Sequence, residues 1–205
     1  MTADPPDRHR FLIGSANQGK LREYREILTG LDVELVSPSE LDPVPAEPRE
    51  DADTFAANAT AKARAYSLAS GLPTIADDSG LEVYALRGAP GIRSRRFFGE
   101  DATAHERNER LLAMLEGVED RSARFVCVTA LASPDGHVEL FEGEVHGEMA
   151  EAPRGEGGFG YDPIFVIAGD GRTMAELPSE EKHRISHRGL AGAKLRSRLA
   201  SGWPA

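Results

Sequence analysis

Phe11-Leu12-Ile13-Gly14-Ser15-Ala16-Asn17-Gln18-Gly19-Lys20-Leu21 changes its period within a few residues. The apolar run Phe11–Ile13 stops at Gly14, and from Leu21 onward Tyr24, Ile27 and Leu28 recur at helical spacing until Gly30. That pattern reads as strand, tight loop and helix. Backbone N–H groups at a helix N-terminus attract phosphate and Lys20 adds a full positive charge, so the loop is a candidate anion site. An ordinary strand-to-helix turn is the other reading of the same residues.

Outward from this segment, Val33–Val36 predicts a second strand and the Pro- and acid-rich stretch Ser37–Asp53 a long loop. Thr54 predicts the N-cap of a helix running to about Ser70, with Phe55, Ala59, Ala63 and Tyr66 on one stripe. Pro73–Ala76 runs into Asp77-Asp78-Ser79-Gly80, which places two carboxylates at a strand end, and Leu81–Leu86 reads as another extended segment. Thr103 with Glu106 fits a capping box for a helix to Glu116, and the turn Ser133-Pro134-Asp135-Gly136 joins strands Arg124–Ala132 and His137–Met149. Together these predict an α/β fold with a mixed sheet.

The chain has 205 residues, which allows one domain or two small lobes, and no repeat or linker divides it. With 40% hydrophobic and 28% charged residues, disordered and collagen-like classes are excluded. No apolar run approaches the roughly 18–20 residues of a membrane span, and Met1–Arg10 is polar with two prolines, so a flexible extension is expected there rather than an anchor or a cleaved leader. A single cysteine, Cys127, argues against a disulfide-stapled secreted protein, and a cytoplasmic location is expected by default. The net charge of -10 disfavours a binder of nucleic-acid polymers but permits a small anionic ligand where a few lysines and arginines converge.

Five segments could carry chemistry. Gly14 to Lys20 comes close to a P-loop, but Leu21 stands where that motif needs a hydroxyl to hold magnesium. A P-loop-like phosphohydrolase or kinase is therefore the runner-up, with Leu72–Asp78 imitating its acid-tipped strand. Thr54, Asn58 and Lys62 share one helix face, either a solvated side or a second phosphate-facing surface. The paired acids Asp77 and Asp78 suit Mg²⁺, a hard cation that takes one or two carboxylates and shares the substrate's phosphates; turn capping is the plain alternative.

Gly155, Gly157 and Gly160 satisfy a dinucleotide-binding pattern on paper, yet Pro163 and the apolar run Ile164–Ile167 follow where a helix should open. What the segment offers is flexible backbone around Phe159, Tyr161 and Asp162, able to stack on a base and accept a hydrogen bond from it, or simply to plug a core. Lys182 to Arg188 holds His183 and His187 at the spacing of a zinc pair, but Arg184 replaces the general-base Glu and no third ligand is evident. A basic donor cluster for oxygens is the more natural reading.

In this order, the five segments closely resemble the inosine triphosphate pyrophosphatase family, the non-canonical purine nucleoside triphosphate pyrophosphatases, from Phe11 to about Ala193. The resemblance implies a single elongated, two-lobed α/β domain around a long twisted mixed sheet, with a central active-site cleft, in a homodimer. It implies Mg²⁺-dependent hydrolysis of inosine, deoxyinosine or xanthosine triphosphate to the monophosphate and pyrophosphate. A non-catalytic nucleotide-binding module on the same scaffold is a third possibility, disfavoured by the acids beside the phosphate site.

By the same resemblance, Ser15, Ala16, Asn17, Gln18, Gly19 and Lys20 form the triphosphate loop, and Lys62 also approaches the phosphates. Asp78 is the implied proton acceptor and metal ligand, Glu50 a further metal-side carboxylate, and Ser79 a substrate contact. Phe159, Gly160, Tyr161 and Asp162 match the base-recognition segment; Lys182, His187 and Arg188 match C-terminal substrate contacts. The chain departs from the family at Tyr84, where Asp is frequent, and at Arg95, where a small residue is usual. Donors from His187, Arg188 or local backbone would suit a 6-oxo purine and leave adenine with donors facing donors.

Overall fold

The computed structural model describes residues 9–202. Six strands, β1 (His9–Ile13), β2 (Val33–Val36), β3 (Thr74–Val83), β4 (Ser122–Ala132), β5 (Val138–Met149) and β6 (Phe165–Ile167), form one sheet in the order β2-β1-β3-β4-β5-β6. β1 runs parallel to β2 and β3, whereas β5 and β6 are antiparallel, so the sheet is mixed as expected. Five helices accompany it: α1 (Gln18–Ile27), α2 (Phe55–Ser70), α3 (Ala104–Met114), α4 (Ser179–Ile185) and α5 (His187–Ala200). No described helix is long and apolar enough to cross a membrane. Of the expected extension Met1–Arg10, residues 1–8 lie outside the described residues, while His9 and Arg10 open β1 and pair with Val33 and Glu34.

The described chain clusters into two compact units, one of residues 9–78, 128–141 and 192–202, the other of 79–127 and 142–191. In the first unit, alternation along β1 sends Phe11 and Ile13 into a cluster with Leu21, Tyr24 and Leu28 near α1 and Leu195 of α5. Leu12 points the other way, onto Val36 and Tyr66 of α2. Each such side chain, fully buried, contributes about 1.5–3 kcal/mol. Helix α2 begins and ends as its sequence dictates: the Thr54 hydroxyl accepts from the Ala57 N–H at 3.1 Å, and Gly71 closes it at φ 67°. Its predicted stripe of Phe55, Ala59, Ala63 and Tyr66 is buried throughout.

The second unit packs Leu81 and Val83 of β3, Leu111 of α3, Phe125 of β4, Met149 of β5 and Phe165 of β6 in one core. The capping box of α3 is present, with the Thr103 hydroxyl accepting from the Glu106 N–H at 3.2 Å and the Glu106 carboxylate accepting from the Thr103 N–H at 2.8 Å. Arg121 donates to the carbonyls of Leu115, Met149 and Ala150 at 2.6–2.8 Å, closing the C-terminal end of α3 onto β5.

The segment Asp77-Asp78-Ser79-Gly80 differs from its reading as a strand end. β3 runs through it unbroken to Val83, and Tyr84–Leu86 forms a short 3-10 turn instead of further strand. The reason is non-local: β1 meets β3 only at Thr74 and Ile75, and beyond them β3 keeps β4 as its sheet neighbour, where pairing outweighs the turn preference of Asp, Ser and Gly. Gly80 has its own requirement, since a Cβ there would stand 2.3 Å from the Gly91 carbonyl oxygen.

Candidate active site

In the first unit, the turn after β1 is set by Gly14, where a Cβ would meet the Tyr66 ring at 2.7 Å. The Ser15 hydroxyl accepts from the Asn17 N–H at 3.1 Å, and Asn17 Oδ1 accepts from the N–H groups of Gly19 at 2.8 Å and Lys20 at 3.2 Å. Asn17 is thus the N-cap of α1. Its oxygen is committed to the helix, which leaves the side-chain NH₂ as its donor toward an anion. Ser15 is buried, Ala16, Asn17 and Gln18 are exposed, and Gly19 and Lys20 are half-buried.

Lys20 and Lys62 meet at Asp77. Lys20 Nζ donates to the Asp77 carbonyl at 3.2 Å and pairs with its carboxylate at 3.1 Å. Lys62 Nζ donates to the same carbonyl at 3.3 Å and contacts the Glu50 carboxylate. The face carrying Asn58 and Lys62 is therefore an inner one and not a solvated side, since both residues are buried. Asn58 Nδ2 donates to Asp78 Oδ2 at 2.9 Å, while its amide exchanges hydrogen bonds with the Ala52 backbone, N–H to Oδ1 at 2.9 Å and Nδ2 to carbonyl at 3.4 Å. One side chain so ties the acid on β3 to the loop that carries Glu50.

Burial, with Lys20 as a second cause, lowers the Lys62 pKa to about 8 against the pull of Asp77, Asp78 and Glu47. Burial raises the pKa of Asp78 above the ordinary carboxylate range, opposed by Lys20, the Asn58 hydrogen bond and Lys62. Among the described residues, no group of three or more His, Cys, Asp or Glu forms a ready metal cage. Glu50 and Asp78 nevertheless offer hard oxygen donors beside two ammonium groups, a set that fits a Mg²⁺ ion completing its shell with phosphate oxygens and water.

The second unit gathers the other predicted residues. Lys182 Nζ pairs with Asp162 Oδ2 at 2.7 Å, both side chains at most 5% exposed. The same oxygen accepts from the Phe159 N–H at 2.7 Å. Lys182 Nζ lies 5.1 Å and the Arg188 guanidinium carbon 5.4 Å from the centre of the half-buried Phe159 ring. Arg188 also donates to the Ser79 hydroxyl at 2.7 Å.

Two of the predicted contacts, Tyr161 and His187, are buried. Tyr161 is buried, its hydroxyl donates to the Ser94 carbonyl at 2.9 Å and its pKa is pushed up to about 12 by burial, so its ring anchors the core. His187 is buried and stacked on Phe125, ring centres 4.6 Å apart and planes 11° apart. Gly160 sits between Phe159 and Tyr161 at φ 64° with its carbonyl held by Asn108 at 3.1 Å.

Sequence reasoning gave Asp77 no role beyond one of two paired acids, placed Asn58 only on the face shared with Thr54 and Lys62, and assigned no site role to Asn108. The available signals were an Asn four residues before Lys62 on α2, and an Asn on the apolar stripe of α3.

Lysines gathered over paired acids answer to a polyphosphate, and an aromatic ring flanked by cations answers to a flat polar heterocycle. Fold and side chains together define a nucleotide-handling α/β protein. The sequence model of the Ham1 family matches residues 11–198, and the chain belongs to that family. It is 48% identical over 196 residues to a dITP/XTP pyrophosphatase of Geobacter sulfurreducens, covering 95% of this chain and 97% of the relative. It is 51% identical over 193 residues to a dITP/XTP pyrophosphatase of Symbiobacterium thermophilum, covering 93% and 94%. Among solved structures, a HAM1 protein from Coxiella burnetii superposes with a TM-score of 0.85 at 41% identity, over 94% of this chain and 99% of that one.

Proposed function

We propose that this chain hydrolyses non-canonical purine nucleoside triphosphates, those of inosine, deoxyinosine or xanthosine, to the monophosphate and pyrophosphate. The observation that carries the reading is the convergence of Lys20 and Lys62 on the Asp77 carbonyl, next to the buried Asp78. Two relatives matched over nearly their full length bear the name dITP/XTP pyrophosphatase.

Water attacks the α-phosphorus, the bond from that phosphorus to the α–β bridging oxygen breaks, and pyrophosphate leaves with the electron pair. Phosphoryl transfer of this kind needs charge neutralisation more than covalent chemistry. Lys20 and Lys62 supply it by exchanging their present oxygen partners for phosphate oxygens. Asp78 takes the proton of the attacking water; its raised pKa makes it a better base than an ordinary carboxylate. Asn58 holds Oδ2 of Asp78, which directs the other carboxylate oxygen to that task. Glu50 and Asp78 would hold Mg²⁺, which when bound supplies further neutralisation and a lowered pKa for bound water.

For the base, Phe159 offers its ring, and Asp162, Lys182, Arg188, Ser79 and the Gly160 backbone supply the polar contacts. The remaining parts of the reading are a cytoplasmic location and a homodimer. A P-loop kinase reading has no support: Leu21, at the position of the missing hydroxyl, is packed in the core of the first unit.

Incubation with inosine triphosphate and Mg²⁺, followed by product identification, tests the proposal. Monophosphate with pyrophosphate is the expected result. Diphosphate with orthophosphate, or unchanged nucleotide, overturns it.

A further inference from the structure

Helix α3 turns Leu111 into the core of the second unit, and Leu115, its C-cap residue, follows on the same stripe. Asn108 lies on that stripe at i, i+3, i+7 spacing and is 4% exposed. A side chain with two donors and an acceptor therefore occupies a position whose neighbours along the helix are leucines. Its Nδ2 donates to the Gly160 carbonyl at 3.1 Å, and its Oδ1 is buried with no hydrogen-bond partner among the described residues. A buried unmet acceptor works against stability, and a leucine, with the same branched heavy-atom skeleton, would complete the stripe without it.

The neighbours of Gly160 show what the asparagine does. Tyr161 is anchored by its own hydroxyl on Ser94, and Asp162 by its carboxylate on Lys182. Gly160 has no side chain, stands at φ 64° and follows a stretch in which Gly155 and Gly158 also adopt positive φ. Its tether has to come from elsewhere, and Asn108 provides it.

We propose that Asn108 is a positioning residue for the purine: by fixing the Gly160 carbonyl it fixes the Phe159–Gly160 peptide, and with it the Phe159 ring beside Lys182 and Arg188. This inference rests on the pyrophosphatase reading and on Phe159 facing the base. The hydrogen bond of Asn108 goes to Gly160 and to none of the groups assigned to phosphate or water, so its effect belongs to the base half of the substrate.

The test compares the full-length wild type with N108L, using inosine triphosphate as substrate and pyrophosphate, which has no base, as an inhibitor. N108L is expected to keep its melting temperature within about 2 °C of wild type, because Gly160 is partly exposed and its carbonyl can turn to water. KM for inosine triphosphate should rise about tenfold with kcat within about twofold, and inhibition by pyrophosphate should be unchanged. An unmoved KM overturns the inference, and so does a parallel rise in KM and in the pyrophosphate inhibition constant. Should N108L not fold, N108S serves, with the same expected split and the same refuting results. A wild type that yields no monophosphate and pyrophosphate sinks the functional reading itself; an active wild type beside an N108L of unaltered KM sinks only this inference.

Discussion

Lys20 and Lys62 donate to one and the same atom, the carbonyl oxygen of Asp77, at 3.2 and 3.3 Å. Two ammonium groups this close repel, and Lys20 is the second-largest cause, after burial, of the lowered Lys62 pKa. The arrangement persists because Asp77, Asp78 and Glu50 surround it with oxygens, and a polyphosphate offers more of the same.

Lys62 should make the metal-free protein's stability depend on pH. Its pKa is lowered from 10.5 to about 8, so between those values the unfolded chain holds a proton that the folded chain has released. Its contribution to stability therefore rises with pH across that window, and the penalty of burying the charged form is complete below it. Lys62→Met is expected to be more stable than wild type at pH 7, by at most on the order of 3 kcal/mol, and inactive. Denaturant unfolding at pH 7 and pH 10 checks this; a stability gain that does not shrink at the higher pH contradicts it.

Asp78→Asn keeps an oxygen for Asn58 and removes the base. Turnover of inosine triphosphate should fall by at least about a thousandfold while nucleotide binding persists. Because burial raises the Asp78 pKa, the ionised acid destabilises the fold at neutral pH, and the variant should melt higher than wild type. Activity within tenfold of wild type would remove Asp78 from the reaction.

Lys20→Ala separates the phosphates. Affinity for the triphosphate is expected to drop by about ten- to a hundredfold, the value of a charge-assisted hydrogen bond, while the monophosphate is affected much less. Calorimetric titration with both nucleotides decides, and equal losses would place Lys20 away from the β and γ phosphates.

Lys182 and Asp162 form a buried pair, so removing one partner strands the other. Lys182→Met should cost about 3–5 kcal/mol of stability, and adding Asp162→Asn should restore a large part of it. Urea unfolding of both single variants and the double supplies the coupling; strict additivity would show that the pair does not act as a unit.

The parts of the fold legible in sequence are those with local causes. Thr54 and Gly71 bound α2, Thr103 and Glu106 open α3, and Ser133 to Gly136 turn β4 into β5, each through contacts within a few residues. Asp77 to Gly80 misled because its preference for a turn is local whereas the pairing that overrides it comes from β4, far along the chain. The sequence reading assigned no element to α4 and α5, where a short basic segment is divided between two helices at Ser186. Candidate residues could be named from motif types, but the convergence of Lys20 and Lys62 on a backbone carbonyl left no trace in side-chain spacing. Asn58 could be placed on a face with Lys62 but not tied to Asp78, and Asn108 was silent, for a related reason: each acts by holding another residue, and only the fold says which one.

The contact of Gly14 with the Tyr66 ring sets an order of events during synthesis. A nascent chain that has released β1 and α1 still lacks the ring against which their connecting turn is moulded. The fit of Gly14 against that ring therefore forms only after α2 has emerged from the ribosome and docked.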